Sequence, residues 1–200
     1  MCTSVGHALG GLTAVWASEA AAGQSLAPGL EGSQKPRPAE PRAWWPLLCA
    51  ALGALPDADL LFHTHRTASH SVTAVLLISI VAMGVTGKVT RRTSVVAGVV
   101  CGAAYGSHLL LDWLAMDRYW PFGIQALWPF SDAWFISSWD VFPQVKRQAF
   151  LDAATIRFNL GTIAFELSRL VPVAGACWLV RRWRLVRSPD RTSAGERAGR

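Results

Sequence analysis

The stretch LPDADLLFHTHRTASHS gathers two aspartates and three histidines directly before an apolar segment. Asp57 and Asp59 follow a proline that ends a helix, and carboxylates in such a turn can bind a divalent cation or polarise a ligating histidine. The alternative is that both are solvated acids at a helix terminus. His65 and His70 are candidate metal ligands, whereas His63 is consistent with a simple position in the membrane interface.

His65 and His70 are five residues apart, which is too far for one face of an ideal helix. Their imidazoles converge only if the residues just before His70 form the turn into the next helix, with Ser69 or Ser71 as its N-cap. Arg66 lies in the same stretch. Its guanidinium could neutralise a phosphate or a developing oxyanion, or it could pair with one of the two aspartates.

A second motif, SHLLLD, places His108 and Asp112 four residues apart and therefore on one helical face. Such a pair can share a metal ion, or it can be an ordinary hydrogen-bonded pair within a helix. In a membrane helix the ordinary explanation weakens, because buried ionisable groups are costly there and tend to mark function.

Imidazoles and carboxylates together are the ligand set of a catalytic zinc ion or a two-metal hydrolytic site. The sequence therefore predicts a divalent metal cofactor, with zinc as the expected ion. The predicted metal ligands are His7, Asp57, Asp59, His65, His70, His108 and Asp112. A metal would supply hydroxide near neutral pH, and the predicted catalytic residues are Asp57, Arg66 and Asp112, as general base and anion-holding groups.

The elements that must position these residues are apolar. Of the 200 residues, 52% are hydrophobic and only 16% are charged, whereas a soluble domain has about 25% charged residues. The apolar segments lie at 4–23, 43–56, 71–87, 94–115 and 160–180. The first is marginal as a membrane span, the second and third are short, and the last two are long enough. We expect an all-α integral membrane bundle of about four to five hydrophobic helices.

The same pattern predicts one membrane-embedded domain over residues 1–187, followed by a basic, disordered tail at 188–200. A polar loop is expected at 24–43, and an aromatic connector rich in tryptophan and proline is expected at 116–156. The connector predicts interfacial turns and a short helix along the membrane surface. Its two WPF repeats are explained by interface anchoring, or by a lid over a lipid-like substrate.

The basic residues predict an orientation. They concentrate in the polar loop, in the turn KVTRR and in the tail, which are all cytoplasmic if five helices cross the membrane with the N-terminus outside. Every histidine then falls on the non-cytoplasmic side. The net charge of +6 is therefore explained by membrane orientation, and a nucleic-acid partner is not expected, because no binding motif accompanies the arginines.

Other polar or reactive residues have simpler explanations. Glu166 and Arg169 are three apart in the last apolar segment and could neutralise each other. Alternatively, Asn159 and Glu166 could approach the metal ligands. The four cysteines are scattered, with no CxxC motif, and are expected to be small core residues.

The motifs also resemble a known family. The order GHALGG, LPDADLLF, HRTASHS, GSHLLLDWL and ALWPF, from residue 6 to about residue 130, is similar to the YdjM-type family of predicted inner-membrane metal-dependent hydrolases. The resemblance implies a bacterial inner-membrane location. It also implies that the family's shared polar positions correspond to His7, Asp57, Asp59, His65, Arg66, His70, His108 and Asp112.

Two functions follow as hypotheses. The first is a membrane-bound hydrolase that cleaves an ester or phosphoester of an amphiphilic small molecule or membrane lipid. The second is a non-catalytic membrane protein that binds or transports a divalent metal ion or responds to envelope stress. A transporter is expected to place ionisable residues along a path, whereas here they gather at one edge. The oligomeric state stays open.

Overall fold

The computed structural model describes residues 1–28, 43–62, 66–87, 90–149 and 151–187. Over these ranges the chain is an all-α bundle without β-strands, as predicted. The helices are α1 (Ser4–Ala22), α2 (Trp44–Ala54), α3 (Val72–Thr86), α4 (Arg91–Leu114) and α5 (Ala153–Arg187). The predicted ligand His65, most of the polar loop and the basic tail lie outside the described residues.

Helix α1 lies at the centre of the bundle and packs against α2, α4 and α5, while α4 also packs against α2 and α3. Val15, Trp45 and Cys49 from the first two helices meet Val100 and Cys101 of α4 in the largest apolar core. All four cysteines are free, and three of them are buried. This agrees with their expected role as small core residues.

Two helices, α4 and α5, are long and apolar enough to cross a membrane, with mean hydropathies of 1.6 and 1.5. Helix α3 is apolar but shorter. The sequence had marked the same two segments as long enough. Its boundaries for the last one were too narrow, because α5 has 35 residues and continues through polar and basic residues that a hydropathy criterion leaves out.

The segment between α2 and α3 carries several of the candidate ligands. Helix α2 ends at Ala54, and a 3₁₀ helix, Leu55–Phe62, continues it, because Pro56 lacks the N–H group that an α-helix would need. A 3₁₀ turn, Ala68–His70, then leads into α3. The hydroxyl of Ser71 accepts a bond of 3.1 Å from the backbone N–H of Ala74. Of the two serines predicted as possible N-caps, Ser71 is therefore the one that caps α3.

The connector between α4 and α5 contains no helix in its described part, so the predicted short interfacial helix is wrong. Pro121 and Pro129 leave too few residues between them for a stable helix. The connector consists of turns joined by two isolated bridges. Its exposed aromatic side chains include Trp120 (84%), Phe130 (88%) and Trp139 (71%), which is consistent with the expected aromatic interfacial surface.

Candidate metal centre

Four separate elements bring five candidate ligands to one end of the bundle. His7 lies near the start of α1, Asp57 on the 3₁₀ helix after α2, His70 just before α3, and His108 and Asp112 near the end of α4. The three histidines are 0% exposed and Asp112 is 1% exposed. We call these five residues the histidine–aspartate cluster.

The centre of the cluster is a triangle of three possible ligand atoms. The Nε2 atoms of His70 and His108 are 3.0 Å apart. The Oδ2 atom of Asp112 is 3.5 Å from the first and 3.4 Å from the second. Two ligands held at about 2.0–2.1 Å from a tetrahedral ion are about 3.3–3.4 Å apart. The triangle therefore has the size that a zinc ion requires.

The outer nitrogens of both imidazoles are held by other groups. His108 Nδ1 lies 2.8 Å from the carbonyl oxygen of Gly53. His70 Nδ1 lies 3.2 Å from Asp59 Oδ2 and 3.0 Å from the hydroxyl of Ser69. A carbonyl and a carboxylate oxygen can accept a hydrogen bond from these Nδ1 atoms, so each ring in its neutral form keeps a lone pair on Nε2. Burial lowers the pKa of His70, so this ring is neutral at pH 7 and can act as a ligand.

Several polar atoms of the cluster lack a hydrogen-bond partner within the described ranges. They are Asp112 Oδ2 and both ring nitrogens of His7. Buried polar groups are nearly always hydrogen-bonded, so an unpaired set with converging lone pairs is unusual. A divalent cation would satisfy the lone pairs at once, and the donor set of imidazole and carboxylate fits such an ion.

His7 extends the cluster on the α1 side. Its ring stacks on that of His108, with centroids 3.5 Å apart and 18° between the planes, and its Nε2 is 3.2 Å from Asp112 Oδ1. The backbone N–H of Cys2 also donates to Asp112 Oδ1, at 3.1 Å. Two overlapping triplets of candidate ligands result: His7, His108 and Asp112, and Asp57, His70 and His108.

The two aspartates of the PDAD motif have different positions. Asp57 lies at the edge of the cluster, with Oδ1 3.8 Å from His108 Nε2 and Oδ2 accepting from the hydroxyl of Ser4 at 2.9 Å. Asp59 lies behind His70, where it also accepts a bond of 2.5 Å from Ser69. The structure thus brings Asp57 toward the triangle and leaves Asp59 to orient a ligand.

Arg66 forms a buried ion pair with Asp117 of the connector, rather than with Asp57 or Asp59 through its side chain. Its guanidinium also donates to the carbonyl oxygen of Pro121 at 2.9 Å. Only its backbone N–H contacts Asp59, at 3.2 Å. This geometry favours a role in holding the connector against the cluster over direct contact with a substrate.

The suggested Glu166–Arg169 pair is wrong. Glu166 is buried and accepts bonds from the backbone N–H and the hydroxyl of Thr3, whereas Arg169 lies over the ring of Phe165. Asn159 bonds the backbone of Lys146 instead of approaching the cluster. Glu166 thus fixes the start of α1, close to His7.

Three contacts of the candidate site were not predicted from the sequence, namely those made by Gly53, Ser4 and Asp117. Gly53 acts through its backbone carbonyl, and Ser4 and Asp117 contact residues that are 53 and 51 positions away. No local spacing reports such contacts. Asp117 also has no signal of its own in the sequence, because it is one of four aspartates in the connector.

Comparison with known proteins gives one result. No curated protein and no solved structure matches the chain. The family model described as YdjM inner membrane protein matches residues 1–186, which include all five residues of the histidine–aspartate cluster and all five helices apart from the last residue of α5. This chain therefore belongs to the YdjM family of inner membrane proteins.

Proposed function

We propose that this protein is a membrane-embedded, metal-dependent hydrolase. One observation carries the proposal: two imidazole nitrogens and a carboxylate oxygen converge within 3.0–3.5 Å in a buried position, and among the described residues the carboxylate oxygen has no hydrogen-bond partner. Without a cation these acceptors would repel one another, and their burial would cost free energy.

The residues have distinct proposed roles. His70, His108 and Asp112 would hold the ion, with Asp57 or His7 as further ligands. A bound zinc ion supplies Lewis acidity and a water whose pKa is lowered to about 7. Asp57 is less buried than the rest of the cluster, and Ser4 fixes one of its oxygens. This carboxylate is therefore suited to accept a proton from water at the edge of the site.

An amphiphilic ester or phosphoester is the proposed substrate class. A groove of about 620 Å³ with largely apolar walls lies between α1, α3, α4 and α5. Gly10 lines it one turn after His7, and Ser107 and Leu111 line it directly beside His108 and Asp112 in sequence. An acyl chain in this groove would bring its head toward the cluster.

The charge distribution supports an orientation for this site. In the described part of the chain, Arg91, Arg92, Arg181 and Arg184 lie at the end of the bundle opposite the histidine–aspartate cluster. Since basic residues favour the cytoplasm, we propose that the cluster opens to the non-cytoplasmic side and that the basic tail is cytoplasmic.

The complete burial of the three histidines favours a second candidate, a non-catalytic metal-binding protein. Structural metal sites are closed, whereas catalytic sites keep a position open for water. Both candidates require a bound metal ion, and only the hydrolase is expected to turn over a substrate. A third case, transport of the metal ion, would be distinguished from both by uptake of the metal into vesicles that contain the protein.

The test begins with metal analysis of the detergent-purified protein. We expect at least one stoichiometric divalent ion, lost in His108→Asn and Asp112→Asn and retained in the exposed control Asp132→Asn. Added zinc should raise the unfolding temperature of the metal-free wild type and of the metal-free Asp132→Asn control, and should leave that of the other two variants unchanged. Wild-type protein that contains no ion and binds none tightly would overturn the proposal.

The second step tests hydrolysis with p-nitrophenyl esters of increasing chain length and with bis-p-nitrophenyl phosphate. Asp57→Asn is expected to keep its metal and to lose about 10²–10⁴-fold in kcat, the usual contribution of a general base. A wild-type protein that holds its metal but turns over none of these probes supports the non-catalytic candidate.

A further inference from the structure

A second buried polar site lies at the opposite end of the bundle. There, an open cavity of about 350 Å³ is lined by the end of α1, the start of α2 and the last third of α5. Its polar lining residues are Glu19, Ser25 and Arg181, and Trp45 also lines it. We call it the basic-end cavity, and it shares no residue with the histidine–aspartate cluster.

Both oxygens of the carboxylate in this cavity already accept hydrogen bonds. Glu19 is 1% exposed, and its Oε1 accepts from the hydroxyl of Ser25 at 3.1 Å and from the backbone N–H of Leu26 at 3.0 Å. Its Oε2 pairs with Nε of Arg181. A ligand in the cavity therefore meets a carboxylate whose two oxygens already have partners.

Hydrogen-bond donors, by contrast, remain available on residues that line the cavity. Within the described residues, the indole Nε1 of Trp45 is buried without a partner, and the guanidinium of Arg181 uses only Nε. The first turn of α2 also lines the cavity, and Ala43, the N-cap of this helix, provides no side-chain cap. Its N–H groups and the positive end of its dipole favour an anion.

The other walls are apolar, with Leu12, Trp16, Leu47 and Trp178 among the lining residues. A site with unused hydrogen-bond donors, one guanidinium group and apolar walls suits a ligand that is both anionic and lipophilic. A phosphodiester that carries acyl chains has this chemistry, and the arginine-rich end of α5 would attract an anionic headgroup.

From these contacts we infer that the basic-end cavity binds the headgroup of an anionic phospholipid. Phosphate oxygens accept from the indole of Trp45, from the free guanidinium nitrogens of Arg181 and from the start of α2. The acyl chains lie against the apolar walls. This site is independent of the proposed metal chemistry.

Native mass spectrometry of the full chain, titrated with phosphatidylglycerol or with phosphatidylcholine of the same acyl chains, tests this inference. We expect one phosphatidylglycerol to bind preferentially. Trp45→Phe keeps the ring and removes one donor, and should weaken that binding about tenfold. The matched control Trp44→Phe, on the neighbouring residue outside the cavity, should bind as the wild type does.

A second variant is expected to change the affinity for phosphatidylglycerol in the opposite direction. A loss of folding could not cause such an increase. Glu19→Gln keeps hydrogen-bond acceptors but removes the charge that offsets Arg181, and it should strengthen phosphatidylglycerol binding. Equal affinity for the two lipids, or no effect of Trp45→Phe, would overturn the inference. Displacement of the lipid by inorganic phosphate alone would overturn the lipid assignment in favour of a soluble anion.

Discussion

At the scale of single residues, the Nδ1 atoms of His70 and His108 are each held by a neighbouring group, which turns both Nε2 atoms toward Asp112. One anchor is the backbone carbonyl of Gly53 and the other is the pair of Ser69 and Asp59. The identities of these three candidate ligands were predictable from residue types and spacing. Their anchors were not, because a backbone carbonyl has no signature in a sequence.

We expect Ser69→Ala to weaken zinc binding about 10–100-fold while leaving the fold intact. Its hydroxyl contacts both His70 Nδ1 and Asp59, and groups that orient a metal ligand usually contribute this much to affinity. Competition with a coloured chelator measures the change. Ser18→Ala, which removes a hydroxyl bonded only to its own helix, should leave the affinity unchanged; equal affinities in the two variants would contradict this role for Ser69.

At the scale of elements, one buried acid joins the connector to the segment before α3. Asp117 pairs with Arg66 and also accepts from the backbone of Gly123 and Tyr119 and from the amide of Gln144. Arg66 itself has a positive φ of 73° and contributes its carbonyl oxygen to Gln125. Arg66 thus links the segment before α3 to the connector.

Asp117→Asn is therefore expected to loosen the part of the connector around Asp117. Breaking a buried ion pair costs about 3–5 kcal/mol, and limited proteolysis should cut the connector much faster than in the wild type. The matched control is Asp140→Asn, which breaks the exposed pair with Arg118. Because such surface pairs contribute about 0–1 kcal/mol, equal cleavage of both variants would argue against the proposed role of Asp117.

Helices α1 and α2 approach closely at Gly53, beside the cluster. A Cβ atom there would overlap the carbonyl oxygen of His7 and lie 3.0 Å from the backbone nitrogen of Gly11. Gly53→Ala should therefore push α1 and α2 apart, destabilise the protein by about 1–3 kcal/mol and reduce metal occupancy.

The matched control is Gly84→Ala in α3, where an added methyl group meets nothing within 4 Å. This change should stabilise the helix by about 0.5–1 kcal/mol. Thermal unfolding and metal content of the two variants provide the measurements. Full metal occupancy in Gly53→Ala would contradict the importance of this close approach.

The helices themselves were largely predictable, because apolar segments of helical length report directly on burial in lipid or in a core. Their ends were not. The connector kept its aromatic surface but lost the expected helix to Pro121 and Pro129. Glu166 was visible as an anomaly in α5, whereas its partner Thr3 lies 163 residues away, beyond the reach of any local pattern.

At the scale of the whole molecule, the candidate metal ligands and the basic residues lie at opposite ends of the bundle. The histidine–aspartate cluster and the aromatic connector occupy one end, and the arginines of α4 and α5 together with the basic-end cavity occupy the other. His65, outside the described residues, stays a prediction for the first end.

Cysteine labelling tests the proposed orientation. In a Cys177→Ser background, an impermeant maleimide should label Asp132→Cys in intact spheroplasts and Arg187→Cys only after permeabilisation, because the two exposed positions lie at opposite ends of the bundle. The native cysteines other than Cys177 are buried. Labelling of both variants from the same side of the membrane would contradict the proposed orientation.

The pairing of α1 with α5 has a consequence for biosynthesis. Thr3 contacts Glu166 at one end of α1 and Glu19 contacts Arg181 at the other, so the two helices run parallel although they are far apart in sequence. The ribosome makes α1 first, and at 5–20 residues per second the matching turn of α5 follows roughly 8–30 s later. During this interval the side of α1 that α5 will cover faces the translocon or lipid, and the contacts of Thr3 and Glu19 with α5 have not yet formed. The anchoring of the helix that carries His7 is therefore completed late, after the fifth helix has been synthesised.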